Sequence, residues 1–264
     1  MNELLASLPP GARVLDIGAR SGSFDTPRGD LCIVRLDLEI PSARRGGWYV
    51  SADAARMPFA AGAFDAVISN HSLEHFVEFE ATVREIGRVL RPDGALYVAV
   101  PDTTTLTDRI YRWLGRGGGH VNPFRRPEDV IEPVERLAGV RHCGTRPLIS
   151  GLSFLNAHNF STRPPRKIAL FAFGNERFLA TLLWTLKWID RASGSRLSHY
   201  GWAFYFGSVE MPRPGEVWHD VCVRCGAGHP PREGGLVYRC PQCKGWNLRA
   251  PKTIGGSSGE RIGR

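Results

Sequence analysis

The 264-residue chain is 42% hydrophobic and 23% charged, which is ordinary for a globular protein with a buried core. Its length suits one sizeable domain with a small appendage, or two modest domains. The most apolar stretch, residues 168–189, is interrupted by Asn175, Glu176 and Arg177 and contains Lys187. No stretch therefore reaches the roughly 18 apolar residues needed to cross a bilayer.

The first residues, MNELLASLPPGARVLDIG, do not combine a basic segment with an apolar run, so we expect a cytoplasmic protein rather than an exported one. Its six cysteines should then stay reduced. Closely spaced pairs of reduced cysteines indicate metal ligands rather than disulfides.

Charge is distributed unevenly along the chain. Residues 1–100 contain 10 basic and 13 acidic side chains, a net charge of −3, whereas residues 101–264 contain 24 basic and 13 acidic side chains, a net charge of +11. The basic part suggests an anionic partner such as nucleic acid, phospholipid headgroups or a phosphorylated substrate. Solvated arginines on the surface of an Arg-rich chain explain the excess equally well.

The first hundred residues alternate short apolar runs with helical patterns. The apolar runs cover 14–17, 32–39, 64–72 and 94–102, and the stretch before the last run has apolar residues at helical spacing. Pro92, Asp93 and Gly94 should end that helix. This alternation predicts an α/β fold with a doubly wound, mostly parallel sheet.

The loop after the first run has the features of a nucleotide-cofactor site. Gly18 and Gly22 allow the backbone to approach a ligand, and Asp37 ends the second run, where a carboxylate binds ribose hydroxyls. Ligands of such sheets bind beyond the carboxyl ends of the strands.

Two longer stretches are more specific: SADAARMPFAAGAFDAVISNHSLEHF (51–76) and REIGRVLRPDGALYVAVPD (84–102). Together they resemble the Rossmann-like S-adenosylmethionine-dependent methyltransferases, in particular the broad group that acts on small molecules, lipids and glycans. The resemblance covers about residues 10–148. It implies that Asp37 binds the ribose, that Asp53 and Ala54 contact the adenine, and that Asn70 lies below the reactive methyl. It also implies that Asp16, Gly18 and Gly22 line the methionine end.

The sequence departs from this family at two points. Arg20 occupies the middle of the loop, where the family usually has glycine, and it either points outward to an anion or crowds the cofactor. Pro27 and Gly29 leave room for barely one turn of the following helix. A relative that has lost its cofactor would show the same departures.

Histidines supply the candidate general bases, because an imidazole titrates near neutral pH. His71 follows Asn70, and His120 lies in a segment that often covers the substrate in the resembled family; these two are the favoured catalytic residues. His75 belongs to the Leu-Glu-His sequence common to that family and more plausibly braces the loop, and His158 is a weaker candidate. The loop lacks the Asn/Asp-Pro-Pro-Tyr/Phe motif of amino-methylating nucleic-acid enzymes, although ribose or guanine methylation needs no such motif.

Residues 151–198 form an insertion before the last predicted strand, 199–209. The insertion is basic and rich in Phe and Trp. We expect it to cap the acceptor pocket; contact of 168–189 with a membrane surface and binding of nucleic acid are the alternatives.

Two Cys-x-x-Cys pairs near the C-terminus have the spacing of a zinc ribbon. The expected ligands are Cys222, Cys225, Cys240 and Cys243, and four cysteines leave no open position, so the zinc should be structural. A module this small needs the ion to fold. We expect it to pack on its own enzyme, although zinc ribbons also bind nucleic acid or protein.

The sequence thus predicts a methyltransferase domain over 1–210, a zinc ribbon over 211–250 and a flexible tail over 251–264. The expected reaction transfers methyl from S-adenosylmethionine to a hydroxyl or carboxyl of a small molecule or a glycan, including a lipid-linked one. The first alternative is an RNA methyltransferase that grips RNA with ribbon and insertion. The second is a non-catalytic zinc-binding adaptor whose Arg20 has closed the cofactor pocket.

Overall fold

The computed structural model describes residues 1–24, 29–42, 44–114, 119–149, 176–209, 220–221, 228–229, 236–240 and 244–248. These residues belong to two compact units. The first unit contains the described residues up to Ile149 and from His199 to 209, and the second contains 176–198 and the described segments from 220 onward.

A seven-stranded sheet forms the centre of the first unit, in the order β3-β2-β1-β4-β5-β7-β6. Its strands are β1 (Arg13–Ile17), β2 (Cys32–Asp37), β3 (Trp48–Ser51), β4 (Phe64–Asn70), β5 (Leu90–Pro101), β6 (His142–Ile149) and β7 (His199–Gly207). Only β7 runs antiparallel to its neighbours. The α/β class and the mostly parallel sheet are confirmed, and the strand expected at 199–209 lies between β5 and β6.

Helices cover both faces of this sheet. They are α1 (Asn2–Ser7), α2 (Phe79–Val89), α3 (Leu106–Leu114) and α4 (Glu128–Ala138). The apolar sides of α2 and α4 form one core with β1, β4 and β5, whereas Leu4 and Leu5 of α1 belong to a second core that includes Tyr97 and Tyr205. Because β1 pairs in parallel with both β2 and β4, the carboxyl ends of these three strands lie at the same edge of the sheet.

The transition from α2 to β5 comes earlier than predicted. The helix ends at Val89, and Leu90 is already extended and pairs with Phe64, ahead of the Pro-Asp-Gly sequence that was expected to stop the helix. Pro92 restricts Arg91, the residue before it, to extended conformations, and it lies two residues beyond the C-cap Leu90, where a proline commonly follows a helix.

The described residues of the second unit form one helix, α5 (Glu176–Ser193), and two short antiparallel pairs of strands. These are β8 (Asp220–Val221) with β9 (Gly228–His229), and β10 (Val237–Arg239) with β11 (Trp246–Leu248). Asp190 lies in the last turn of α5, and its carboxylate accepts hydrogen bonds from the backbone N–H groups of Leu197 and Ser198, at 2.6 and 2.7 Å. Among the described residues, no helix is long and apolar enough to cross a membrane.

Candidate active site

A cavity of about 370 Å³ opens at the carboxyl ends of β1, β2 and β4. β1 pairs with β2 on one side and β4 on the other, which is the point where the strand order reverses. Ligands of doubly wound sheets bind at this point. The predicted site residues that line the cavity are Gly18, Asp37, Asp53, Ala54 and His71.

Gly18 holds two walls of the cavity in close contact. Its φ of +63° is in the left-handed region, and a Cβ at this position would lie 2.5 Å from the Cβ of Ser72. The Ser72 hydroxyl donates a hydrogen bond to the carbonyl of Ile17 at 3.0 Å, which fixes the turn after β4 to the end of β1. Only glycine satisfies both the conformation and the space.

Arg20 forms part of the cavity wall without closing it. Its φ is +46°, a conformation that costs a non-glycine residue energy and that explains the family's preference for glycine here. The backbone N–H of Arg20 donates a 2.8 Å hydrogen bond to Oδ2 of Asp37. A carboxylate has about four acceptor positions, so Asp37 keeps acceptor capacity for a ligand in the cavity.

Asp16 and Gly22 both adjoin the buried side chain of Arg35. The Asp16 side chain is fully buried and forms an ion pair with the equally buried Arg35. Arg35 also donates hydrogen bonds to the carbonyls of Phe24 and Gly46, and a Cβ at Gly22 would lie 3.0 Å from its guanidinium carbon. Neither predicted residue belongs to the cavity wall; both support the loop from beneath.

Sequence reasoning missed Arg35, although a signal was present. A single arginine within the apolar strand CIVRLD needs a buried partner, because a buried charge is costly unless it is paired. The only carboxylate in the neighbouring strand β1 is Asp16, which is in register with Arg35.

Asp53 and Ala54 lie on the wall that follows β3. Oδ1 of Asp53 accepts a 2.9 Å hydrogen bond from the backbone N–H of Ala55, and Oδ2 pairs with Arg56 at 3.1 Å. These contacts fix the carboxylate against the cavity. Asn70, the last residue of β4, lies at the same edge of the sheet but is not among the described residues of the cavity wall.

A cluster of titratable side chains adjoins the cavity. Nδ1 of His71 lies 3.9 Å from Oε1 of Glu74, and the ring centroids of His75 and His120 are 4.9 Å apart. Nδ1 of His120 lies 3.7 Å from Oδ1 of the buried Asp108. The structure therefore brings the two predicted bases into one cluster, in which His71 and His75 also form part of the cavity wall.

The environment of this cluster disfavours charge. Burial raises the pKa of Glu74 to about 8. The nearby charge of Arg20 lowers this pKa by a smaller amount, and that of Asp108 raises it slightly. Desolvation, assisted by repulsion from His120 and His75, lowers the pKa of His71 to about 4. The imidazole of His71 is thus neutral near pH 7.

Several predicted residues fall outside the described residues: His158 and the cysteines 222, 225 and 243. Cys240 is described and is buried at the turn between β10 and β11. Its backbone N–H donates to the carbonyl of Gly245, and its carbonyl accepts from the N–H of Lys244, both at 2.9 Å. The zinc ribbon remains a prediction.

Comparison with known proteins agrees with this fold and cavity. The family described as "Methyltransferase domain" matches residues 15–98. The demethylmenaquinone methyltransferase of Mycolicibacterium paratuberculosis is 30% identical over 183 residues, 60% of this chain and 78% of that protein. The tRNA (carboxymethyluridine(34)-5-O)-methyltransferase alkbh8 of Xenopus tropicalis is 36% identical over 108 residues, 38% of this chain and 17% of that protein.

The chain also resembles a solved structure from Anabaena variabilis that is described as a methyltransferase from an antibiotic biosynthesis pathway. The match covers 79% of this chain and 94% of the Anabaena chain. Its TM-score is 0.52 at 18% identity, which shows a shared fold. The chain spans only 17%, 43% and 51% of the first three curated relatives that it matches.

The sheet order and the cavity at its switch point define a Rossmann-like, cofactor-binding α/β protein. With the match to the methyltransferase domain and a relative covered over 78% of its length, the chain belongs to the methyltransferase family. Its fold is that of the S-adenosylmethionine-dependent methyltransferases.

Proposed function

We propose that this enzyme methylates an oxygen, the hydroxyl or carboxyl of a small molecule or of a glycan, including a lipid-linked glycan. The observation that carries the proposal is the position of His71, whose imidazole lies on the cavity wall immediately after β4. A hydroxyl must lose its proton when it is methylated, and the imidazole of His71 is neutral near pH 7, so its ring nitrogen has a lone pair that can accept this proton during the transfer.

The cavity residues fit S-adenosylmethionine. The cavity volume of about 370 Å³ is within the range of small-molecule sites, and the carboxylate of Asp37 is available to the ribose hydroxyls of the cofactor. Gly18 keeps the loop free of side-chain atoms where the backbone approaches the ligand. When bound, this cofactor supplies a methyl group that its sulfonium charge has already activated, so the protein's task is alignment and exclusion of water.

The protein's own groups account for the remaining steps. The acceptor oxygen takes the methyl group, a hydroxyl acceptor gives its proton to the imidazole of His71, and S-adenosylhomocysteine is left. A carboxylate acceptor is already ionised near pH 7 and needs no base. His71 therefore favours a hydroxyl, and replacing it distinguishes the two kinds of acceptor.

The names of two relatives support parts of this proposal. The Xenopus relative is named for methylation of an oxygen, and the Mycolicibacterium relative is named for demethylmenaquinone, a small molecule rather than a polymer. An oxygen acceptor on a small molecule combines the two.

The test is transfer of labelled methyl from S-adenosylmethionine into fractionated extract of the source cell. We expect label in the small-molecule, lipid or glycan fraction. With the labelled acceptor, His71→Ala should lower kcat by about 10²–10⁴-fold for a hydroxyl and leave a carboxylate little affected. His142→Ala is the matched control, because His142 bonds Thr145 at 2.9 Å on β6 and is not part of the cavity wall.

RNA methylation is the second candidate, favoured by the Xenopus relative's name and by the net charge of +11 on residues 101–264. In that case the label would appear in nuclease-sensitive material, and binding of RNA would weaken steeply as salt rises.

The hypothesis of a non-catalytic adaptor requires Arg20 to close the cofactor pocket. Arg20 instead lines an open cavity, and the chain belongs to a family of enzymes, so both observations argue against the adaptor.

We further propose a structural zinc held by Cys222, Cys225, Cys240 and Cys243, supported by their spacing and by the Cys240–Gly245 turn. Zinc content that falls by one equivalent per chain in Cys240→Ser would support it; unchanged content would exclude it.

Peripheral membrane contact through 168–189 is supported by the exposed rings of Phe178 and Trp188. Failure to sediment with anionic vesicles would exclude it.

A further inference from the structure

Three metal-ligating side chains meet beside the cofactor cavity. Glu74, His75 and His120 each offer one ligand atom, and these atoms lie within 4.8 Å of one another. Two imidazoles with one carboxylate are a common ligand set for divalent transition metals in enzymes. Glu74 and His75 belong to the single 3₁₀ turn Leu73–His75 after β4, and His120 follows α3, 45 residues farther along the chain.

Backbone contacts hold these two segments together. The N–H groups of Val121 and Asn122 both donate to the carbonyl of Glu74, at 2.8 and 3.1 Å. The Asn122 amide donates to the carbonyls of Leu73 and Phe76, at 2.9 and 2.8 Å. The juxtaposition is therefore built into the fold rather than dependent on the rotamers of exposed side chains.

His75 has the hydrogen-bonded outer partner that metal-binding imidazoles usually have, and His120 lies near a buried carboxylate without a hydrogen bond to it. Nδ1 of His75 donates to the carbonyl of Gly119 at 3.0 Å, which leaves the lone pair on Nε2. Nδ1 of His120 lies 3.7 Å from the carboxylate of the fully buried Asp108. A carbonyl or carboxylate on the second ring nitrogen fixes the tautomer and orientation of a metal-ligating histidine.

Glu74 supplies an independent indication of a cation. The residue is only 1% exposed, and within the described part of the chain no group hydrogen-bonds its Oε2. Burying a carboxylate without a partner is costly, and a bound cation removes that cost.

We propose that Glu74, His75 and His120 bind one divalent transition-metal ion, such as Zn²⁺, Co²⁺ or Mn²⁺, at the edge of the cofactor cavity. Three protein ligands leave at least one coordination position open. Since His75 also lines the cavity, a ligand in the cavity can reach that position. Binding of the ion is independent of the acceptor. Its use, to hold the acceptor oxygen and lower the pKa of its hydroxyl, rests on the proposed function.

The test is the Co²⁺ stoichiometry of the full chain after stripping, reloading and desalting, measured by elemental analysis and by calorimetric titration. Because the predicted cysteine site also takes Co²⁺, the informative quantity is the difference between proteins. We expect wild type to bind one equivalent more than Glu74→Gln and than His120→Ala. The control His142→Ala should bind as much Co²⁺ as wild type. Cys240→Ser should lose the Co²⁺ of the predicted cysteine site and keep the Co²⁺ bound by Glu74, His75 and His120. Equal Co²⁺ content in wild type and both site variants would overturn the proposal.

Thermal unfolding without metal shows whether the variants fold. Glu74→Gln replaces a buried carboxylate with a neutral amide of the same shape, so it should melt at or above the wild-type temperature when metal is absent. Co²⁺ should raise the melting temperature of wild type by more than that of Glu74→Gln; equal rises would count against the site. These readouts do not require methyl transfer, so failure of the metal site and failure of the proposed function are distinguishable.

Discussion

The buried ion pair between Arg35 and Asp16 gives the sharpest stability prediction. Both side chains are 0% exposed, and Arg35 also donates to the carbonyls of Phe24 and Gly46 while Asp16 accepts from the N–H of Ser23. Removing one partner leaves an uncompensated buried charge, which costs about 3–5 kcal/mol. Arg35→Met and Asp16→Leu should each lower the free energy of unfolding by this amount, equivalent to a fall in Tm of about 6–20 °C.

The double variant separates pairing from packing. Removing both charges leaves only unpaired neutral backbone groups, so Arg35→Met with Asp16→Leu should be less destabilising than the sum of the singles by about 2 kcal/mol or more. Urea unfolding followed by circular dichroism measures all three. The exposed pair of Arg84 and Glu80 is the control, and Arg84→Met should cost at most about 1 kcal/mol. Additive costs, or single variants as mild as Arg84→Met, would refute the reasoning.

Three further predictions concern the cofactor cavity. Asp37→Ala should weaken S-adenosylmethionine binding by about 10–150-fold in calorimetry, because hydrogen bonds to a charged group contribute about 1.5–3 kcal/mol; the exposed Asp93→Ala should not change it. Gly18→Ala should abolish cofactor binding in the same titration, since its Cβ would lie 2.5 Å from that of Ser72, and wild-type affinity would show that the loop contact is wrong. Arg20→Gly should raise the free energy of unfolding, measured in urea, by about 1 kcal/mol, because it relieves the positive φ; a fall in stability would contradict this.

The sequence was most informative where structure is local. The four apolar runs and the strand at 199–209 mark strands of the sheet, because continuous burial leaves a continuous apolar pattern. Strand β3, by contrast, is a four-residue edge strand with exposed ends, and such a strand carries little pattern.

The sequence indicated individual candidate residues of the site, but not how they come together in space. Asp37, Asp53 and His71 line one cavity, because each ends or follows a strand at the same edge of the sheet. The resemblance could not show that this chain supplies Arg35 as a buried partner of Asp16. The approach of His120 to Glu74 depends on tertiary contacts between distant segments, which no local pattern records.

Arg20 illustrates how one substitution can be read only in three dimensions. In the sequence it was equally compatible with an outward side chain and with a blocked pocket. The structure shows that the loop tolerates its positive φ while its N–H orients Asp37. The residue therefore adds strain and charge at the cavity wall without removing the cavity.

The measurement that tests the central claim most directly is the bonding of the transferred methyl group. The enzyme would be supplied with S-adenosylmethionine carrying a ¹³C-methyl group and the acceptor fraction, and the product examined by NMR. The account predicts a methyl carbon bonded to oxygen, and a product that His142→Ala still forms at the wild-type rate. A methyl group bonded to carbon or nitrogen would contradict the account, because neither the oxygen acceptor nor the proposed role of His71 would survive it.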